Sequence, residues 1–270
     1  MQAEKVEAFR RLHASGCFVM PNPWDVGSAV TLEKMGFEAL ATTSAGHAWT
    51  LGRADNGVLL DEALEHLRAV AGAVTVPVNA DFGGGFSADP EQVAVNVKLA
   101  AGTGIAGLSI EDSTADVDEP LYEFELAVER VRAARDAIDE SGTGVLLTGR
   151  SEGFVVGRPD LEETIRRLQA YAEAGAECLY APFITMTEQV SAIVDAVAPK
   201  PVNLLVHAPF MTVAEAADLG VRRISVGGTL ARTAWAAFLA AADEIATEGT
   251  FTRFTDLPTL PNVNALFDDR

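Results

Sequence analysis

The chain has 270 residues, 49% of them hydrophobic, enough to bury a large core in a single α/β barrel or in two smaller domains. Its 39 acidic and 20 basic side chains leave a formal net charge of −19, which repels phosphate backbones and anionic head groups and argues against nucleic-acid or membrane partners. No run approaches the roughly 18 apolar residues of a bilayer span.

From the N-terminus, MQAEKVEAFRRLHASG reads as a charged amphipathic helix without a signal peptide's apolar segment. Short β-branched runs then alternate with helical patterns. Strands are expected over 17–20, 37–42, 75–80, 105–111, 144–149, 177–181, 201–206 and 221–226. Apolar residues at three- and four-residue spacing predict helices over 60–73, 90–101, 121–138, 159–174 and 187–197. Cap signals precede two of them, at Ser87 to Pro90 and at Arg158-Pro159-Asp160. Gly36, Gly104, Gly175 and Gly220 stand where a helix needs a left-handed closing residue. Eight such units without a break in composition predict one (β/α)8 barrel, a TIM barrel, over residues 1–248. A doubly wound open sheet is the alternative, but PNPWDVGS after the first strand is not a glycine-rich phosphate loop. The tail 249–270 has no helical period yet carries Phe251, Phe254 and Phe267, which suggests packing on its own barrel or on a neighbouring subunit. Cys17 and Cys178 lie in apolar runs and read as reduced, buried thiols, so a cytoplasmic protein is expected.

In this architecture reacting groups come from the carboxyl ends of strands and the loops beyond them. Those positions hold Asn22 and Asp25; Ser44-Ala45-Gly46-His47, then Arg53 and Asp55; Asn79-Ala80-Asp81; Glu111-Asp112; Arg150 with Glu152; Asn203 and His207; and Gly227-Gly228-Thr229. Asp55, Asp81, Glu111 and Asp112 point toward one mouth, where carboxylates cannot all stay ionised in a dry pocket without a cation. Oxygen donors without histidine pairs or cysteines favour Mg²⁺ or Mn²⁺ over zinc, with Asp81 and Glu111 the favoured ligands. Asp112 is as readily a structural residue.

Arg150 suits a substrate carboxylate or an oxyanion, and can also pair with Glu111 or Glu152. Ser44, Ala45 and Gly46 are small enough for a ligand to approach the backbone closely. His207 is as readily structural as catalytic. Gly227-Gly228-Thr229 could cradle a phosphate or simply allow close packing. The lysines Lys5, Lys34, Lys98 and Lys200 all lie away from strand carboxyl ends, which disfavours a Schiff-base aldolase.

With these residues in place, the chain resembles the isocitrate lyase/phosphoenolpyruvate mutase superfamily over roughly 12 to 245. The resemblance rests on TTSAGHAWTLGRADNG, PVNADFGGGF, LSIEDS, TGRSEGF and AEAGAECLYAP, in that order. It implies a homotetramer, a dimer of dimers with the last helix exchanged between subunits, a bound Mg²⁺, and chemistry on a small 2-oxo acid through a pyruvate enolate. By position, Ser44, Ala45 and Gly46 would hold the oxo-acid carboxylate and oxyanion. Asp55 would support the metal's water shell or, in the mutase branch, act as nucleophile. Asp81 and Glu111 match metal-site acids, and Arg150 the arginine that stabilises the enolate. Asn203 and His207 complete the candidate substrate contacts.

Three departures narrow the reading. Asn79 stands where the family has the first acid of Asp-x-Asp, which leaves it a possible ligand or water-orienting group of lower charge. The loop after the fourth strand, STADVDEPLYEF within 112–122 and beyond, lacks the lyase cysteine, lysine and histidine. Ala181-Pro182 replaces the lyase glutamate. An acidic gate of Asp112, Asp116, Asp118 and Glu119 would repel a tricarboxylate or phosphonate by on the order of a few kcal/mol. The sequence therefore points to a Mg²⁺-dependent lyase or decarboxylase of an oxaloacetate-type 2-oxo acid, working through a metal-stabilised enolate. Phosphonopyruvate hydrolysis or mutase-type phosphonate chemistry is the alternative, and an oxo-acid-binding barrel with little turnover is a third possibility.

Overall fold

A computed structural model describes residues 1–255 and 257–268; Asp256, Asp269 and Arg270 of the tail lie outside the described residues. Helix α1 (Gln2–Ala14) precedes β1 (Phe18–Met20), α2 (Val26–Lys34), β2 (Leu40–Ala41), α3 (Ser44–Thr50), α4 (Leu60–Ala73), β3 (Val78–Asp81), α5 (Pro90–Ala101) and β4 (Gly107–Glu111). The chain continues through α6 (Phe124–Ser141), β5 (Leu146–Arg150), α7 (Leu161–Glu173), β6 (Cys178–Tyr180), α8 (Thr187–Val197) and β7 (Val202–Leu205). It closes with α9 (Val213–Asp218), β8 (Arg223–Ser225), α10 (Thr229–Glu248), a 3₁₀ turn at Thr252–Phe254 and α11 (Leu260–Asn264).

The strands form one parallel sheet in the order β1-β8-β7-β6-β5-β4-β3-β2. Its ends meet where the Ala41 N–H donates to the Pro21 carbonyl at 3.1 Å, so the barrel is nearly closed. Each expected strand is present, and α4, α5 and α8 span the expected residues. Asp89 caps α5 ahead of Pro90, and Asp160 caps α7 through the Glu163 N–H at 3.0 Å. These local signals suffice because capping and periodicity agree with the barrel's demand for an apolar inner face on every helix. No helix among the described residues is long and apolar enough to cross a membrane.

Strand alternation sorts the interior. Asn79 and Asp81 share one face of β3, and Ser109 and Glu111 share one face of β4. Beneath them Arg223, only 1% exposed, donates to Asn203 Oδ1 (2.9 Å) and Thr148 Oγ1 (3.0 Å). Phe9 of α1 packs under the barrel against His13 and Phe18.

The tail differs from its expected lack of helical period, since α11 forms there with Pro261 in its first turn. Lys34 Nζ donates to the Ala265 carbonyl at 3.4 Å, so the tail returns over α2. Phe251 and Phe254 remain exposed. Cys178 is buried, but Cys17 is only half-buried, which corrects the expectation for that thiol; both are free.

Candidate active site

Arg150 ends β5 at the barrel mouth and gathers the strand-end acids. Its Nη1 lies 2.7 Å from Glu111 and 3.3 Å from Asp81, and its Nε donates to Glu152. The Tyr180 ring lies 5.0 Å from the guanidinium carbon. Burial raises the Tyr180 hydroxyl to about 12, so it stays protonated.

Asp81 is fixed at both its peptide and its side chain: its N–H donates to Thr42 Oγ1 (2.9 Å), and its Oδ2 accepts from the Ser44 N–H (2.8 Å). Glu111 is held by its own peptide groups, the N–H donating to the Gly83 carbonyl at 3.1 Å and the carbonyl accepting from Arg130 Nη1 at 2.8 Å. Arg130, fully buried, also donates to the carbonyls of Gly84 and Ser87, and so ties the loop after β3 to the end of β4. Asp55 lies in the exposed loop after α3, with Ser44 Oγ at 3.4 Å and the Asn56 N–H at 2.9 Å. Its carboxyl is raised by partial burial and then by the charge of Asp81.

One guanidinium therefore faces three carboxylates, with a fourth at the edge. Burial pushes the Glu111 carboxyl well above its usual range; Arg150 opposes this, and Glu152, Asp81 and Asp55 add to it. Such an excess of buried negative charge calls for a further cation. Among the described residues no three of His, Cys, Asp or Glu close into a metal cage. The donor set thus fits a hard cation such as Mg²⁺, held by one or two carboxylates and completed by water and substrate oxygens. Asn79 lies in the barrel beneath Asp81 with its Oδ1 buried and unpartnered among the described residues, while its Nδ2 donates to the Ala80 carbonyl.

Several expectations are corrected. Ser44-Ala45-Gly46 forms the first turn of α3, capped by Thr43, whose Oγ1 accepts from the Gly46 N–H at 3.3 Å. Glycine is required at 46 because a Cβ there would sit 2.8 Å from Trp24 Cβ and 2.7 Å from Thr43 Cγ2. With the Ser44 and Gly46 N–H groups engaged and Ser44 Oγ donating to Asp55 at 3.4 Å, the Ala45 N–H is a donor left for a ligand.

Asp112 does not belong to the gate. It is 2% exposed and accepts from Tyr171 Oη (2.6 Å), Arg167 Nη1 (3.3 Å) and the Glu152 N–H (2.7 Å). Alternation along β4 carries the signal, since neighbours of inward-facing Glu111 face the helices. Asp116, Asp118 and Glu119 are exposed, on a loop closed by the Thr114 N–H to the Pro120 carbonyl.

The Gly227 turn is not a free anion cradle, because the Val226 and Gly227 N–H groups both donate to Asn22 Oδ1 at 2.9 Å. Asp25 caps α2 through Ser28. Arg53 pairs with Glu62 at 2.5 Å.

Two cavities meet at Thr42 and Asp81. The inner one, about 40 Å³, is polar and includes Arg150, Asn203, Asn79 and Arg223 in its wall. Asn203 is held there by Arg223 and by Ser225, to which its Nδ2 donates at 3.0 Å. The outer groove, about 260 Å³, is lined by Ser44, Asp81 and Glu111 together with His47 and His66. His207 stands apart from the acids. Its ring packs on Phe183 (4.7 Å between centroids), and it lines a separate groove beside Trp49 and Arg232. Arg130, Tyr171, Arg167 and His66 carry no strand-end signal in the sequence, because they lie on helices.

The family model described as phosphoenolpyruvate phosphomutase matches residues 9–246. A crystal structure from Burkholderia cenocepacia J2315, assigned as a lyase/mutase, is 45% identical with a TM-score of 0.96, covering 99% of this chain and 97% of that one. An uncharacterized protein of Mycobacterium tuberculosis (strain ATCC 25618 / H37Rv) is 32% identical over 222 residues, 82% of this chain and 81% of its own. The 2-methylisocitrate lyase of Escherichia coli (strain K12) is 31% identical over 177 residues, 63% of this chain and 58% of that enzyme. More distant relatives include an oxaloacetate decarboxylase of Paraburkholderia xenovorans (strain LB400), 29% identical over 79% of this chain and 71% of its own. Phosphonopyruvate hydrolase in complex with oxalate and Mg²⁺ is 25% identical, with a TM-score of 0.86 over 98% of this chain and 95% of that one. The chain belongs to the phosphoenolpyruvate phosphomutase family, within the phosphoenolpyruvate mutase/isocitrate lyase superfamily of lyases and mutases.

Proposed function

We propose that the protein is a Mg²⁺- or Mn²⁺-dependent lyase or decarboxylase acting on a small 2-oxo acid of the oxaloacetate type. The observation that carries this is the placement of Asp81 and Glu111 on the same Arg150 nitrogen, at 3.3 and 2.7 Å, in a mouth with more carboxylates than cations. Asp81 and Glu111 would hold the ion, with Asn79 beneath them orienting water. When bound, the ion supplies Lewis-acid polarisation of the substrate's keto oxygen.

The chain's own groups do the rest. Arg150 faces the substrate carboxylate and the oxygen on which charge develops, at a position made rigid by Glu152 and Tyr180. The Ala45 N–H adds a donor, and Asn203 closes the inner wall. As the C–C bond to the departing carboxylate breaks, its electron pair moves to the keto oxygen, CO₂ leaves, and no protein base is needed. Asp55, its carboxyl raised and beside Ser44, is suited to hold the proton that C3 later receives. The relatives that act on oxaloacetate or bind oxalate with Mg²⁺ support this reading. Phosphonate chemistry, in which Asp55 would be the nucleophile, is the second reading, favoured by the position of Asp55 at the groove's edge.

The assembly belongs to the same proposal. Only Ala231 and Glu244 of the 20-residue α10 are buried, and Trp235, Phe238 and Leu239 are exposed on it. A second copy of the chain covers this face in a dimer of dimers. Release of pyruvate from oxaloacetate and related oxo acids, with and without Mg²⁺ or Mn²⁺, tests the activity. Absence of turnover with every one of them would refute it.

A further inference from the structure

Beyond the strand-end acids, the outer groove changes character. Its lining there combines the apolar Val58, Leu67, Phe82, Phe86 and Tyr122 with the uncharged Asn56, Ser87, Ser113 and Thr114, and among the described residues no lysine or arginine lines it. Phe86 adopts φ +60, a left-handed conformation costly for a bulky side chain, and its ring meets Phe82 edge-on at 5.1 Å. Three glycines before it, Gly83 to Gly85, let the chain turn so that this aromatic reaches the groove.

Two imidazoles line the same groove. His47 on α3 and His66 on α4 stack face to face, with centroids 3.8 Å apart and planes 15° apart. Both Nε2 atoms are buried without a partner among the described residues. Burial lowers both rings, His66 to about 4, so at neutral pH the pair is uncharged.

We propose that this groove is a specificity subsite for an uncharged, largely apolar substituent on the carbon next to the substrate's keto group. The inference rests on the oxo-acid reading above and names the substrate class within it. The polar head of the substrate sits at the seam near Arg150 and Asp81, and the substituent lies in the groove against the histidine pair and the Phe82 and Phe86 rings. An alkyl or aryl group there loses water to apolar side chains. A phosphonate, or any carboxylate other than the one that departs, would lose its hydration there and meet no lysine or arginine. The groove therefore selects against phosphonopyruvate and in favour of 3-substituted oxo acids.

Oxamate and its N-substituted derivatives, unreactive analogues of a 2-oxo acid, test this by calorimetry with Mg²⁺-loaded full-length protein. Affinity should rise about fourfold per added methylene from oxamate to N-propyloxamate. N-carboxymethyloxamate should bind at least tenfold more weakly than N-ethyloxamate. Val58→Arg, which places a cation in the groove at a half-buried position, should reverse that last preference. A flat alkyl series, or tighter binding of the carboxymethyl compound to the unaltered protein, would overturn the subsite while leaving the oxo-acid reading intact. Failure of both oxalate and oxamate to bind would overturn both.

Discussion

Replacing Arg150 with methionine removes the guanidinium that contacts Asp81, Glu111 and Glu152. At an effective dielectric of about 20, the 2.7 Å and 3.3 Å contacts correspond to attractions of about 6 and 5 kcal/mol. Most of this offsets desolvation, and stripping one partner from such a cluster costs about 3–5 kcal/mol net. For a chain of this size that lowers Tm by roughly 6–12 °C.

The pH dependence follows from the surviving carboxylates. Burial already raises the Glu111 and Glu152 carboxyls against the opposing pull of Arg150, so without Arg150 they rise further, the native state binds more protons than the unfolded one, and stability falls as pH rises through the carboxylate range. Thermal denaturation of Arg150→Met at pH 7 and pH 5 in the presence of a chelator should therefore show a smaller deficit at the lower pH. Mg²⁺ at pH 7 should recover part of the loss by binding only the native state. A loss below 1 kcal/mol, or a deficit that grows on acidification, would refute the electrostatic account of the site.

Other consequences can be checked independently. Asp112→Ala should destabilise the protein by about 3 kcal/mol because Arg167 and Tyr171 lose their buried acceptor, whereas Tyr171→Phe should cost about 1.5–3 kcal/mol, both read from denaturant unfolding. Asn22→Ala should cost about 2–4 kcal/mol in the same assay, since two backbone N–H groups lose their acceptor. Phe238→Asp on the exposed face of α10 should yield a smaller species by light scattering while circular dichroism stays unchanged.

The β/α rhythm was legible because strand runs, cap residues and closing glycines all carry local signals. Gly36, Gly104, Gly175 and Gly220 all adopt positive φ. The convergence of Asp81, Glu111 and Arg150 was also legible, since strand carboxyl ends meet at one mouth in a closed barrel. What escaped depended on packing across long separations. Thr-Ser-Ala-Gly-His looks like a turn because serine and glycine are poor helix formers, yet Thr43 caps it and Gly46 lets it press against Trp24. Asn22 filling the turn after β8 could not be foreseen across a separation of 204 residues. Asp112 could have been placed by alternation, but adjacent acids at a strand end look equivalent until one face is assigned to the interior. The stacking of His47 on His66 depends on how two helices cross, which periodicity does not report.

Direct titration of the purified protein with Mn²⁺, followed by electron paramagnetic resonance, tests the central claim that the acidic rim holds a divalent cation. One ion per chain is expected, with affinity rising as pH increases, because the raised Glu111 carboxyl must lose its proton to bind it. Binding should weaken at least tenfold in Asp81→Ala and in Glu111→Gln. No bound ion, or binding unchanged in both variants, would contradict it.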